Sequence, residues 1–204
     1  MSINYLAVDT SGFHLTVIAR GDRGEYTYYN ENCNLKHSVT LMDAVEESLF
    51  YADLKKEEVD VFCCCIGPGS FTGIRIGVAT VKALGYALDK KVLGVTSFDA
   101  LAYYNTAEDT LALIDARHGH VYSAGYSGGK VIIPPAYTAV EDLERYRGKY
   151  KFASPFKIDG VETEIIPPAE GFRRAVEAKL SLSSKDAETL LPLYIRKSQA
   201  EEGR

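Results

Sequence analysis

The sequence predicts an α/β protein of two lobes, each built on the same βββαβα plan. Two observations support this class. In the first half of the 204 residues, three strand-like segments are followed by a helix, a strand, a helix, a strand and a helix. Near the middle, ALIDARHGHV at 112–121 repeats the pattern of LAVDTSGFHL at 6–15 and aligns Asp115 with Asp9. With 46% hydrophobic residues, the chain can bury a sizeable core.

The first lobe is predicted to span residues 1–107. Its opening strands are INYLAVDTS, FHLTVIAR and GEYTYYN, which glycine turns separate. A helix is predicted over 38–52, where apolar residues recur at helical spacing: Met42, Val45, Leu49 and Ala52. The segment VDVFCCCI is apolar throughout, as in a strand covered on both faces. The strand VLGV and two more helices, over about 73–88 and 97–105, complete the lobe.

The second lobe is predicted to span residues 108–204 and to be shorter and less regular. Its candidate strands after the repeated segment are VYSAGYS, GKVIIPPA, KYKFAS and TEIIPP. The pairs Pro134-Pro135 and Pro167-Pro168 are expected to end two of these strands, because proline cannot donate to a sheet. Helices are predicted over about 139–146 and 169–180.

Composition narrows the function classes. No stretch resembles a signal peptide or a membrane span, so we expect a cytoplasmic protein without membrane contact. The cysteines Cys63, Cys64 and Cys65 are consecutive, so they alternate between the faces of a strand and are expected to be reduced thiols in the core. A net charge of −5 argues against binding nucleic acid over the whole surface.

The glycine-rich segment GPGSFTGIRIG at 67–77 lies between an apolar strand and a helix. It lacks the Lys-Ser or Lys-Thr pair of a phosphate loop, the glycine spacing of a dinucleotide fingerprint and the G-x-S-x-G of a hydrolase elbow. Two interpretations stay open: the helix N-terminus binds an anion, or the glycines only let the chain reverse tightly. Under the first, the contacts to an anion or nucleotide would come from Asp9, Gly67, Gly69, Ser70 and Gly73.

The helix over 73–88 is apolar on more than one side, which predicts that something covers its outer face. A partner protein is the favoured cover, and another part of this chain is the alternative. The residues predicted to contact the partner lie on this helix and on the helix over 38–52: Met42, Val45, Leu49, Arg75, Ile76, Ala79, Lys82, Ala83 and Tyr86.

A catalytic centre is not evident. Leu41 stands four residues after His37, where a two-histidine metal motif would need its second histidine. Asp9 and Asp115 are the best-placed carboxylates: they either act together in a cleft between the lobes or each cap their own turn, and we favour capping. The stretch RYRGKYK at 145–151 mixes basic and aromatic residues and is either an RNA contact or a solvated face. We therefore predict no catalytic and no metal-binding residue.

Five short segments together resemble the TsaB (YeaZ) family: LAVDTS at 6–11, HS at 37–38, GPGSFTGIRIG at 67–77, DAR at 115–117 with VY at 121–122, and PLYIR at 192–196. The resemblance covers nearly the whole chain and is weakest from about 130 to 190. It implies a fold similar to actin, Hsp70 and sugar kinases (ribonuclease H-like), with βββαβαβα in the first lobe and a shortened second lobe.

The resemblance also implies a supporting role in tRNA threonylcarbamoyladenosine (t6A) synthesis. The implied partners are a TsaD-like paralogue, bound through the two first-lobe helices, a TsaE-like ATPase in the assembled complex, a second copy in isolation, and tRNA only through the complex. No cofactor is implied for the isolated chain, although ATP or ADP at the partner interface stays open. The enzyme alternative is an ATP-dependent phosphotransferase or a glycoprotease-like (peptidase M22) metallopeptidase, and a plain nucleotide-binding module is a third possibility.

Overall fold

The computed structural model describes residues 3–33 and 36–196, which form two five-stranded sheets. The first sheet has the order β3-β2-β1-β4-β5 and contains β1 (Tyr5–Asp9), β2 (Leu15–Arg20), β3 (Glu25–Asn30), β4 (Val61–Cys65) and β5 (Lys91–Val95). β1, β2 and β3 are antiparallel neighbours, whereas β4 lies parallel to β1 and β5 parallel to β4.

The second sheet repeats this topology. It contains β6 (Thr110–Arg117), β7 (His120–Ser127), β8 (Lys130–Ala139), β9 (Lys151–Ser154) and β10 (Glu164–Ile165), in the order β8-β7-β6-β9-β10. Again the first three strands are antiparallel and the last two run parallel to β6. The predicted duplication is therefore confirmed, and β1 corresponds to β6.

The helices complete the predicted βββαβαβα order of the first lobe. They are α1 (His37–Tyr51), α2 (Phe71–Ala87), α3 (Ser97–Ala102) and, from the second half of the chain, α4 (Pro168–Lys179). In the second lobe a 3-10 helix (Val140–Tyr146) stands where α1 stands in the first, and β9 and β10 are joined without a helix. The second lobe is shortened, as predicted.

The first sheet is covered on both faces, which explains why β4 is apolar throughout. Phe62 and Cys64 lie in the core under α1 and α2, and Cys63 and Cys65 lie in the core on the opposite face, under α4. All four cysteines are free and buried, which confirms the prediction for Cys63, Cys64 and Cys65. α3 lies between the sheets, and Leu101 packs among residues of the second sheet.

The second half of the chain returns to the first lobe. Phe172 of α4 is buried against the first sheet, and Leu190 is buried in the core under α1 and α2. The backbone of Ser184 pairs with that of Val92 through hydrogen bonds of 2.8 and 3.0 Å, which covers the edge of β5. We call residues 184–196 the C-terminal strap. The division into domains at residue 107 stays a prediction, and the strap and α4 pack across that boundary.

Two local expectations were wrong. β8 does not end at Pro134-Pro135 but continues to Ala139. It is an edge strand whose pairing with β7 shifts register at Gly125, so prolines without N–H groups are tolerated there. The second is α3, which ends at Ala102 instead of Asn105. The helix expected over about 139–146 is present at Val140–Tyr146, as a 3-10 helix.

A further difference, which matters for function, is the face of α1 that is buried. Leu41 and Ala44 are buried, whereas Met42, expected on the inner stripe, is 46% exposed. The buried face is therefore rotated relative to the predicted stripe, because Leu41 and Val45 both pack in the core against the first sheet. Within the described residues, no helix combines the length and the apolar character that crossing a bilayer requires.

Candidate functional site

The glycine turn at 67–73 is packed against the end of β1. The N–H of Ser70 donates to the Ser11 carbonyl over 2.6 Å, and the Ser70 hydroxyl accepts from the N–H of Gly73 over 3.2 Å, which caps α2. A side chain at Gly69 or Gly73 would overlap the carbonyl oxygens of Ser11 or Thr10. The glycines are thus required by a close approach within this chain.

The same approach continues along α2. The Thr10 hydroxyl donates to the Gly73 carbonyl over 2.7 Å, and a Cβ at Gly77 would lie 2.6 Å from that hydroxyl oxygen. Gly85 faces Val92 of β5 in the same way. The nearest neighbours of Gly77 and Gly85 are therefore side chains of this chain.

A cleft of about 700 Å³ lies between the lobes, beside the glycine turn. Asp9 and Asp115 both line it, one from each lobe, as the sequence repeat suggested. The rings of Phe13 and Phe156, which come from opposite lobes, lie 4.3 Å apart in the same lining. The structure thus brings the two predicted carboxylates to one cavity.

Asp9 is saturated by its own lobe. One carboxylate oxygen accepts from the N–H and the hydroxyl of Ser11, at 2.8 and 2.7 Å, and the other lies 3.2 Å from Nε2 of His14. Burial would raise the pKa of Asp9, but the charge interaction with His14 and the hydrogen bonds from His14 and Ser11 outweigh it and hold that pKa below its usual value. Asp9 is therefore an ionised turn cap.

Asp115 has the equivalent geometry in the second lobe. Its carboxylate accepts from the N–H of Arg117 over 2.8 Å, the same two-residue spacing as Asp9 and Ser11. An ion pair to the Arg117 guanidinium, at 3.6 Å, adds to it. Both carboxylates cap their own turns, which is the interpretation the sequence favoured.

The glycine turn forms part of the cleft wall. The backbone of Thr10 and Ser11 packs against this turn, and the N–H groups of Ser70 and Gly73 donate to acceptors within the chain. Asp9, Gly69, Ser70 and Gly73 line the cleft, whereas Gly67 does not and packs against Ile74 instead. The anion contacts stay a prediction. The close packing against Thr10 and Ser11 is a structural reason for glycine at positions 69 and 73.

His37 serves α1. Its Nε2 donates to the carbonyl of His14 over 2.8 Å, which joins the first residue of α1 to the loop below the cleft. In residues 3–33 and 36–196, His, Cys, Asp and Glu side chains form no group of three placed to bind a metal ion. The side chain that replaces the second histidine of the motif, Leu41, lies in the core.

The outer strip of α2, defined as Ile76, Ala79, Lys82, Ala83 and Tyr86, is open to solvent. Ala79 and Ala83 are exposed on successive turns and Tyr86 is 88% exposed. Ile76 and Lys82 are partly covered, the latter by an ion pair of 3.6 Å to Glu188 of the strap. This chain therefore borders the strip without sealing it.

The neighbouring face of α1 is also apolar and exposed. Phe50 is 78% exposed and Met42 is half exposed. Val45, which was predicted to contact a partner, is buried in the core of its own lobe, and Leu49 is partly buried there. Those two side chains are corrections to the predicted surface. Phe50 takes their place on the open side of the helix.

The sequence analysis missed two members of this region, Phe71 and Tyr194. Their rings stack at 4.7 Å beside the outer strip, and Arg75 lies against both. Both aromatic residues fall inside the segments that carried the family resemblance, 67–77 and 192–196. That was the only sequence signal for them, since they are 123 residues apart.

Two of the four basic residues in the stretch at 145–151 pair with carboxylates. Arg147 pairs with Glu144 at 2.8 Å, and Lys151 pairs with Glu108 and Glu164 at 2.9 and 3.1 Å. These ion pairs agree with the solvated face for Arg147 and Lys151, and the RNA contact of the stretch stays a prediction.

The repeated five-stranded sheet with a cleft between its two copies defines a two-lobed α/β protein of the actin-like class. A family model described as "TsaD: tRNA N6-adenosine threonylcarbamoyltransferase" matches residues 30–193. The chain belongs to this family, on its TsaB/YeaZ branch.

Relatives support that branch. A Mycobacterium tuberculosis protein is 34% identical over 169 residues, covering 80% of this chain and 77% of that protein. The tRNA threonylcarbamoyladenosine biosynthesis protein TsaB of Bacillus subtilis is 38% identical over 127 residues, covering 59% of this chain and 54% of its own length. The solved structure of YeaZ from Pseudomonas aeruginosa is 25% identical, covers 95% of this chain and 100% of its own, and superposes with a TM-score of 0.73.

Proposed function

We propose that this chain is a non-catalytic subunit of t6A synthesis, which binds a TsaD-like paralogue through α1 and α2 and supports threonylcarbamoyl transfer to the adenosine beside the tRNA anticodon. The observation that carries the proposal is the exposed outer strip on α2. The other side of α2 already packs on its own sheet. An exposed apolar patch on the remaining side is typical of a surface that binds another protein. The name of the Bacillus subtilis relative supplies the pathway.

The shape of the surface suits helix packing. Ala79 and Ala83 are small and lie one turn apart, so the backbone of a partner helix can approach closely. Phe50 and Tyr86 are large and exposed, and they provide the apolar area that drives association. In isolation, a second copy would cover the same face, so we propose a homodimer that the paralogue displaces.

The remaining partners follow from that arrangement. We propose that a TsaE-like ATPase joins the assembled complex, that tRNA is contacted only through it, and that all of this takes place in the cytoplasm. We propose that ATP or ADP binds at the partner interface, because the N–H groups of Ser70 and Gly73 in the glycine turn already donate within this chain. The phosphotransferase and metallopeptidase alternative is not favoured: Asp9 is engaged by Ser11 and His14, and His37 by a backbone carbonyl.

The test uses charge insertion. Ala79→Glu or Ala83→Glu should weaken binding of the paralogue by at least ~30-fold, because an unpaired carboxylate buried in an apolar contact costs ~2 kcal/mol or more. Ala178→Glu, on the exposed side of α4, is the matched control. Binding is measured by calorimetry, and t6A formation by reconstitution with and without the variant. If both strip variants bind the paralogue as tightly as the control, the proposal is wrong.

A further inference from the structure

Three side chains form a compact stack at the N-terminal end of α2. The rings of Phe71 and Tyr194 stack with centroids 4.7 Å apart, and the Arg75 guanidinium lies 3.8 Å from the centroid of Phe71. Nε of Arg75 donates to the Tyr194 hydroxyl over 2.9 Å. An arginine held by cation–π contact and by a hydrogen bond has few alternative rotamers.

Tyr194 is fixed independently of this stack. The N–H of Leu193 donates to the carbonyl of Ile66 over 2.8 Å, at the end of β4, and Leu190 is buried in the core. The backbone of the strap is therefore anchored on the first lobe, and this anchoring holds the Tyr194 ring against α2. Two of the five segments that carry the family resemblance, 67–77 and 192–196, meet in this contact.

Arg75 is distinguished by its charge environment. α2 contains no Asp or Glu in a protein whose net charge is −5. Many other arginines of the described chain pair with a carboxylate: Arg20, Arg23, Arg117, Arg147, Arg173 and Arg174. Within the described residues, the hydrogen-bond and cation–π partners of the Arg75 guanidinium are Phe71 and Tyr194 alone. Because only Nε is used, both terminal nitrogens remain available to an acceptor.

We infer that Arg75, oriented by Phe71 and Tyr194, binds a carboxylate side chain of the TsaD-like paralogue, and that the strap is part of the docking surface. This inference rests on the proposed function. Arg75 is exposed next to the outer strip and does not line the interlobe cleft, so its acceptor comes from the docked protein. Lys82, the other cation of α2, is already paired with Glu188, which leaves Arg75 to provide the charge complementarity.

The variants separate charge, geometry and orientation. Arg75→Gln should weaken binding of the paralogue by about 30-fold, the loss expected when one partner of a desolvated charge pair is removed. Arg75→Lys should recover little of that loss, since an ammonium neither stacks nor forms two parallel hydrogen bonds. Tyr194→Phe keeps the ring stack but removes the acceptor of Nε, and should cost about 3-fold to 10-fold. In the Arg75→Gln background, Tyr194→Phe should have no further effect.

Calorimetric titrations of the full chain with the paralogue, at low and high salt and with and without ATP, give the readout. The inference predicts a steeper salt dependence for the wild type than for Arg75→Gln, and equal losses with and without ATP. It is overturned if Arg75→Gln binds like the wild type, if Tyr194→Phe is additive with it, or if the loss appears only with ATP, which would identify a phosphate as the acceptor. Ala83→Glu distinguishes failure of the proposed function from failure of the inference about Arg75. If Ala83→Glu abolishes binding and Arg75→Gln does not, the proposed docking is supported and the inference about Arg75 is wrong.

Discussion

Lys179, in the last turn of α4, places its ammonium nitrogen 2.5 Å from a carboxylate oxygen of Asp99 in α3. The Asp99 side chain is 4% exposed and also accepts hydrogen bonds from the Thr96 N–H and the Tyr126 hydroxyl, at 2.9 and 3.1 Å. Since Tyr126 lies on β7, this carboxylate joins the second sheet and α4 to a helix of the first lobe.

The first prediction concerns this buried pair. Lys179→Met should lower the free energy of unfolding by about 3 kcal/mol, because it leaves a buried carboxylate without its countercharge. Lys185→Met is the control, since it removes an exposed pair with Asp89 and should change stability by less than ~1 kcal/mol. Urea denaturation measures both. Equal effects of the two substitutions would show that the buried pair contributes no more to stability than the exposed pair does.

The second prediction concerns the contact between β1 and α2. Gly77→Ala should destabilise the protein by about 1–2 kcal/mol even though alanine favours helix, because the new methyl group meets the Thr10 hydroxyl. In a Thr10→Ala background the same substitution should be neutral or stabilising. Denaturation of the four proteins in this cycle gives the coupling. A loss that persists without the hydroxyl would place the cause elsewhere.

The third prediction is a pH dependence at α4. Hydrogen bonds from Arg173 lower the pKa of Glu170, and hydrogen bonds from Arg174 add to this effect. Burial acts in the opposite direction but is outweighed, so the pKa falls from 4.5 to about 2. A depressed carboxylate pKa contributes stability above the unfolded value, and that contribution is lost as the pH falls from 4.5 towards 2. The effect should be small, because the Glu170 side chain is 34% exposed and solvent screens it.

Glu170→Gln tests it. The variant should be less stable than the wild type at pH 7, and the difference should disappear near pH 2. Glu188→Gln, at a carboxylate that is 89% exposed, should show no comparable pH dependence. Thermal melts across this range are the measurement, and a gap between wild type and Glu170→Gln that stays constant with pH would rule out the linkage.

The fourth prediction concerns the thiols. Burial raises the pKa of Cys63, Cys64 and Cys65 well above the usual value, and Cys33 is buried as well. The folded protein should therefore show no rapidly reacting thiol towards an alkylating reagent at pH 8, and all four should react in urea. Mass spectrometry of timed samples counts the modified residues. Fast labelling of Cys64 without denaturant would contradict the burial of β4.

Much of the fold could be predicted because its signals are local. The apolar run at β4, the helical spacing in α2 and the repeat of Asp9 in Asp115 are each contained in about ten residues. The site was predicted less well. On α1 the spacing identified a helix, but Val45 and Met42 differ in burial because the sheet decides which side faces inward.

By itself, the sequence determined the order of the strands and helices, the duplication, and an α2 with no acidic residue and an apolar excess. Only the tertiary structure decided that α4 and the strap return to the first lobe, and that Tyr194 lies against Arg75 across 119 residues of chain. The physical reason is that periodicity reports what one element needs to bury, whereas the partner that buries it is chosen by packing among all elements.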